Sequence, residues 1–88
     1  ASAIWSALLE TESVYPREGL DEALAAGRQR LERAGIEPEY FEARYPGTLD
    51  PADEGAEEAI LVAVAADVEG TRLIDNILIE PRKQARRK

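Results

Sequence analysis

The chain has 88 residues, of which 44% are hydrophobic, enough to build one small core but not a large one. It contains no Cys and no His, which excludes disulfides, thiolate catalysis and cysteine-based zinc sites and removes the usual general base and the commonest transition-metal ligand. The net charge is -7, and Arg82, Lys83, Arg86, Arg87 and Lys88 supply five of the 11 basic groups, so residues 1–81 are left with a balance of -12; such an acidic body repels nucleic-acid phosphates and anionic membranes.

No run of about 18 apolar residues spans a bilayer and no signal-peptide pattern opens the chain, so composition predicts a soluble cytoplasmic protein. Residues 1 to about 12 place Ile4, Trp5, Leu8 and Leu9 on one stripe, the pattern of an amphipathic helix. That helix has no built-up first turn, Ser2 being the available cap, and the opening reads as a cut from something longer. Residues 13–16 are expected to break it, because Pro16 cannot donate a helical hydrogen bond and its fixed φ suits the start of a new helix. A second helix is then predicted from about Arg17 to Ala34, with Leu20, Ala23, Leu24, Gly27, Leu31 and Ala34 recurring at three and four residues and Gly35 placed as a left-handed cap. Arg28, Arg30, Glu32 and Arg33 read as its solvated face.

Residues 39–45 alternate with a period of two and include Tyr40, Phe41 and Tyr45, which predicts a strand after Pro38. Trp5, Tyr40 and Phe41 are expected to meet in a helix-on-sheet core. Residues 46–58 have loop composition; the acidic residues Asp53, Glu54, Glu57 and Glu58 read as part of a solvated loop, not a cation site. Residues 59–66 are apolar without interruption, the mark of a central strand covered on both faces. Glu69 and Gly70 supply a tight reversal, and residues 70–80 form its partner strand. On that strand Leu73, Asp75, Ile77 and Ile79 share one face, and Arg72, Ile74, Asn76, Leu78 and Glu80 the other.

The fold class that follows is α+β, two helices packed on one face of a three-stranded antiparallel sheet, in a single domain over residues 1–81 with a basic disordered tail at 82–88. Arg72, Asp75 and Asn76 are the candidate site residues. Strongly hydrated groups in an apolar strand need partners, since burying one unpaired costs on the order of a few kcal/mol. They are expected to form either an interdomain contact or a polar network that fixes the end of the sheet. Arg72 and Asp75 project from opposite faces and so are not expected to pair; a backbone or helix N-terminal donor is expected for Asp75.

The run TRLIDN at 71–76, the strand Glu39-Tyr40-Phe41-Glu42 and the loop Pro46-Gly47-Thr48-Leu49-Asp50-Pro51 resemble the C-terminal domain of the pantoate:β-alanine ligase (pantothenate synthetase) family. The chain departs from the family pattern at Tyr45, Asp67 and Glu69. The family's nucleotide-binding domain and the segments that contact ATP lie upstream of this region, so the resemblance carries no catalytic, cofactor-binding or metal residue onto this chain. It implies a hinged lid over the adenylate-forming site of an N-terminal nucleotide-binding domain, which would be its partner, with ATP and Mg²⁺ used by the full-length enzyme and not by these residues. It also implies that the isolated chain is inactive, with neither nucleic acid nor membrane as partner. The alternative from a different class is a free-standing small interaction module with an acidic surface, and a homodimer through exposed strand edges is compatible with either.

Overall fold

A computed structural model describes residues 2–81. The expected tail at 82–88 lies outside the described residues. The order is α1 (Ala3–Glu18), α2 (Leu20–Arg33), β1 (Pro38–Arg44), β2 (Ile60–Val68) and β3 (Thr71–Ile79), with the strands in the order β1-β2-β3 and both pairings antiparallel. The predicted class, two helices on a three-stranded antiparallel sheet, is the one observed.

α1 does begin at the makeshift cap: Ser2 Oγ accepts the N–H of Trp5 at 3.0 Å. It does not stop where proline was expected to stop it. α1 continues through Pro16 to Glu18, and the break falls on Gly19 at φ 93°, whose N–H donates to the Tyr15 carbonyl. Pro16 sits in the last turn and is exposed, whereas Tyr15 is fully buried and Val14 packs against the core. Burying those two side chains, worth roughly 1.5–3 kcal/mol each, offsets the cost of about 3 kcal/mol for an interior proline. α2 therefore starts at Leu20 rather than Arg17. It ends as predicted: Gly35 takes φ 76°, and the N–H groups of Gly35 and Ile36 donate to Glu32 and Leu31.

The two helices pack on each other through Ile4, Ala7, Leu8, Thr11 and Tyr15 of α1 and Leu20, Ala23, Gly27 and Leu31 of α2, all buried. Gly27 permits the closest approach, since a Cβ there would overlap Thr11 Oγ1 and the Phe41 ring. Beneath the helices lie Phe41 and Ala43 of β1, Ile60, Val62, Val64 and Ala66 of β2, and Ile79 of β3. The expected aromatic cluster is corrected here. Phe41 enters the core at 2% exposure, but Trp5 is 36% exposed and Tyr40 lies half-buried on the opposite face of the sheet. Trp5 follows Ile4 by one residue, about 100° around the helix, and the buried stripe is set by Ile4, Ala7, Leu8, Thr11 and Tyr15 instead.

β2 is central, as predicted, but it is not covered on both faces: Ile60, Val62, Val64 and Ala66 are buried under the helices, whereas Leu61 and Ala63 on the outer face are half-buried, because both helices pack on one side of the sheet. Glu69 and Gly70 have φ 53° and 85°, the two positive angles of a type I′ turn that joins strands by two residues, so Val68 and Thr71 form the first hydrogen-bonded pair. Alternation along an antiparallel ladder then fixes every backbone group. Residues 71, 73, 75, 77 and 79 exchange bonds with β2, and residues 72, 74, 76 and 78 turn theirs to the outer edge. The far edge of β1 obeys the same alternation: the Ala43 carbonyl accepts from Ala52, Tyr45 donates to Asp50, and the Phe41 carbonyl accepts from Arg28.

Candidate functional site

The structure does not gather Arg72, Asp75 and Asn76 into one site. Arg72 and Asn76 project from the outer face of the sheet, the face without helices, and Asp75 from the helix-facing side between Leu73 and Ile77. As predicted, Arg72 and Asp75 do not pair.

Arg72 reaches across the sheet to β1. Its Nε donates to both carboxylate oxygens of Glu39 at 3.2 and 3.1 Å, and its Nη2 donates to Glu39 Oε1 at 2.9 Å. The two outer strands are thus tied over β2, whose Asp67 stands opposite Arg72 in the ladder. Hydrogen bonds from Arg72, aided by its charge and opposed by desolvation, hold the Glu39 carboxyl below the usual carboxylate range, and Glu39 raises the Arg72 guanidinium. Both side chains are substantially exposed, so the pair is a geometric tie more than a source of stability. Asp75 finds the backbone donor expected of it, one residue away: Oδ1 accepts the N–H of Asn76 at 2.8 Å.

Three residues escaped the sequence reading. Glu54, placed in a solvated loop, grips the start of α2, with Oε2 accepting from Leu20 N–H and Oε1 from Asp21 N–H, each at 2.8 Å. The signal was an absence, since Gly19 offers α2 no side-chain cap and the orphan N–H groups of a helix start require an acceptor from elsewhere. Arg28, read as solvated, donates Nη2 to the Phe41 carbonyl at 2.6 Å and sits 6.0 Å from the Phe41 ring centroid. Arg44 donates to the Leu49 carbonyl and to Glu42, holding the 44–51 turn in which Leu49 adopts φ 65°.

Two depressions mark the surface. One of about 430 Å³ lies where α2 meets β1, lined by Arg28, Gln29, Glu32, Ile36, Glu37 and Pro38. The other, about 310 Å³, lies on the outer sheet face between Tyr40, Glu42, Arg44, Leu49, Leu61 and Ala63. That face also exposes Ile74 at 59% and Leu78 at 48%. Among the described residues no group of three or more Asp or Glu is placed to hold a metal ion.

Residues 1–78 match the sequence profile of the family described as pantoate-beta-alanine ligase. The chain belongs to that family. Over 56 residues it is 46% identical to the pantothenate synthetase of Pseudomonas paraeruginosa, covering 64% of this chain and 19% of that protein. Over 84 residues it is 44% identical to the bifunctional pantoate ligase/cytidylate kinase of Synechococcus sp., covering 93% of this chain and 17% of the relative. The fold superposes on the crystal structure of pantothenate synthetase from Thermus thermophilus with a TM-score of 0.80 and 28% identity, over 90% of this chain and 29% of that one. The chain therefore spans less than a third of the length of these family members.

Proposed function

We propose that this chain is the C-terminal lid domain of a cytoplasmic pantoate:β-alanine ligase, a single domain over residues 1–81 that acts on an adenylate-forming site carried by an N-terminal nucleotide-binding domain. Family membership supports the ligase assignment, and the observation that carries the lid reading is the outer face of the sheet. Tyr40, Leu61, Ala63, Ile74 and Leu78 make an apolar surface that the chain's own helices leave uncovered, rimmed by the Arg72–Glu39 and Arg44–Glu42 pairs. Such a patch suits a surface that is covered when a second body closes on it.

In this reading the complete enzyme uses ATP and Mg²⁺ to activate pantoate for attack by β-alanine. The described residues do not fit a Mg²⁺ site, so no step is assigned to them through the metal. Their contribution is to exclude water: a closed lid protects an activated acyl group from hydrolysis while the amine reaches it. Arg72 serves by holding β1 and β3 at a fixed spacing, which keeps the outer face flat enough to close, and is a positioning residue in this account.

The test is direct. The 88-residue chain, incubated with ATP, pantoate and β-alanine, is expected to form no pantothenate, and turnover by the isolated chain would overturn the reading.

A further inference from the structure

The sheet has two edges and closes them differently. On β1 the outward groups meet the 44–52 segment and the Arg28 side chain. On β3 the outward N–H and C=O groups belong to Arg72, Ile74, Asn76 and Leu78, all exposed. Among the described residues those of Arg72, Ile74 and Leu78 meet no hydrogen-bond partner. A nine-residue edge of this kind, rich in Ile and Leu, is a template for another strand.

We propose that Asp75 guards the outer edge of β3 against pairing with the same edge of a second copy of this chain. This goes beyond the ligase reading and does not depend on it. The occupant is set by register. An antiparallel pairing that engages all four outward residues of each edge puts Arg72 opposite Leu78 and Ile74 opposite Asn76. The two-fold axis then passes through Asp75, which faces its own copy as a non-hydrogen-bonded pair with Cα atoms about 4.5 Å apart. Like charges directly opposed destabilise such a pair, and more so on the half-buried helix-facing side beside Leu73 and Ile77.

The same carboxylate acts a second time. By accepting the Asn76 N–H at 2.8 Å, it occupies the donor that each copy would offer to the Ile74 carbonyl of the other. Slipping the register by two residues does not escape the guard: Asp75 then lies against Leu73 or Ile77 of the copy, and the Asn76 donor is still required. Arg72 adds no comparable block, because its charge is already met by Glu39. A charged residue pointing inward on an edge strand is one of the devices by which sheets resist edge-to-edge association.

Sedimentation of the 88-residue chain over a concentration series tests this. Wild type is expected to stay monomeric. Asp75→Thr, which removes both the charge and the acceptor, is expected to associate with a dissociation constant lower on the order of tenfold or more. Asp75→Asn loses the charge but keeps an oxygen for the Asn76 N–H, and is expected to associate more weakly than Asp75→Thr. Adding Asn76→Pro to Asp75→Thr deletes the freed donor and puts a ring on the edge while leaving Ile74 and Leu78 in place, and is expected to restore the monomer. The proposal is overturned by a wild-type dimer, by a folded Asp75→Thr as monomeric as wild type, or by association that survives the proline. If circular dichroism shows Asp75→Thr unfolded, Asp75→Asn decides: association supports the guard, and an unchanged monomer overturns it.

Discussion

Arg72 is the most conspicuous side chain in the sequence and one of the least energetic in the structure. Its partner, Glu39, lies 33 positions away, beyond the reach of any local pattern, which is why the sequence could demand a partner for Arg72 without naming it. The pair sets a pH dependence. Glu39 has a folded-state pKa below its usual 4.5, so the unfolded chain takes up its proton first as the pH falls. The stabilisation is present above the unfolded value and is lost as the pH falls through the folded one. Denaturant midpoints of wild type and Glu39→Gln should therefore converge on acidification from about pH 7 toward the lower end of the carboxylate range, with wild type showing the steeper loss. Added salt should shrink the gap at neutral pH, since both groups are exposed. Parallel pH profiles for the two proteins would remove Glu39 from this role. Glu54 calls for a different magnitude, because it satisfies two backbone donors at once. Replacing it with Ala should cost on the order of 1 kcal/mol, the usual size of a lost helix cap, and hydrogen exchange should show the increase at the amides of Leu20 and Asp21 and across the 46–58 loop, not in β3.

The helices and strands were legible wherever one periodicity ran without competition. β2 announced itself by an uninterrupted apolar run, the hairpin by Glu69-Gly70, the end of α2 by Gly35. Two things were not legible. The α1–α2 boundary was assigned to Pro16, a strong local signal, but burial of Val14 and Tyr15 outweighs it and moves the break to Gly19. Trp5 and Leu9 share an apolar stripe with Ile4 and Leu8 in the sequence, yet helical phase turns only Ile4 and Leu8 inward and leaves Trp5 and Leu9 at the rim. The glycines test this packing. Gly27→Ala sets a gain of about 1 kcal/mol in helix propensity against overpacking at Thr11 and Phe41, which typically costs about 1–3 kcal/mol. The net expectation is a lower melting temperature, read by thermal denaturation. Gly19→Ala should be worse, since φ 93° disfavours any side chain and the new Cβ would overlap Glu54 Oε2, displacing the cap of α2 as well. A Gly27→Ala variant more stable than wild type would mean the helices can part at no cost.

At the level of the molecule, a helical layer and a sheet share one core, and among the described residues no helix covers the other face of the sheet, where apolar side chains stand between charged pairs. The candidate residues had looked like one site in the sequence because they stand within five positions of each other. Strand alternation separates them: Arg72 ties the outer face, Asp75 caps the edge, and Asn76 lends its N–H to Asp75. The TRLIDN run thus resembles the family without bringing its three polar side chains together. In the lid account the chemistry belongs to the longer enzyme, and this chain determines how much of the activated intermediate survives. The measurement that bears most directly on this is the ratio of AMP released to pantothenate formed, taken for a ligase that carries this domain beside a nucleotide-binding domain, as proposed, and for the same ligase lacking residues 2–81. The account predicts a ratio near one for the intact enzyme and a large excess of AMP, or loss of both products, once these residues are removed. An unchanged ratio at an unchanged rate would contradict it.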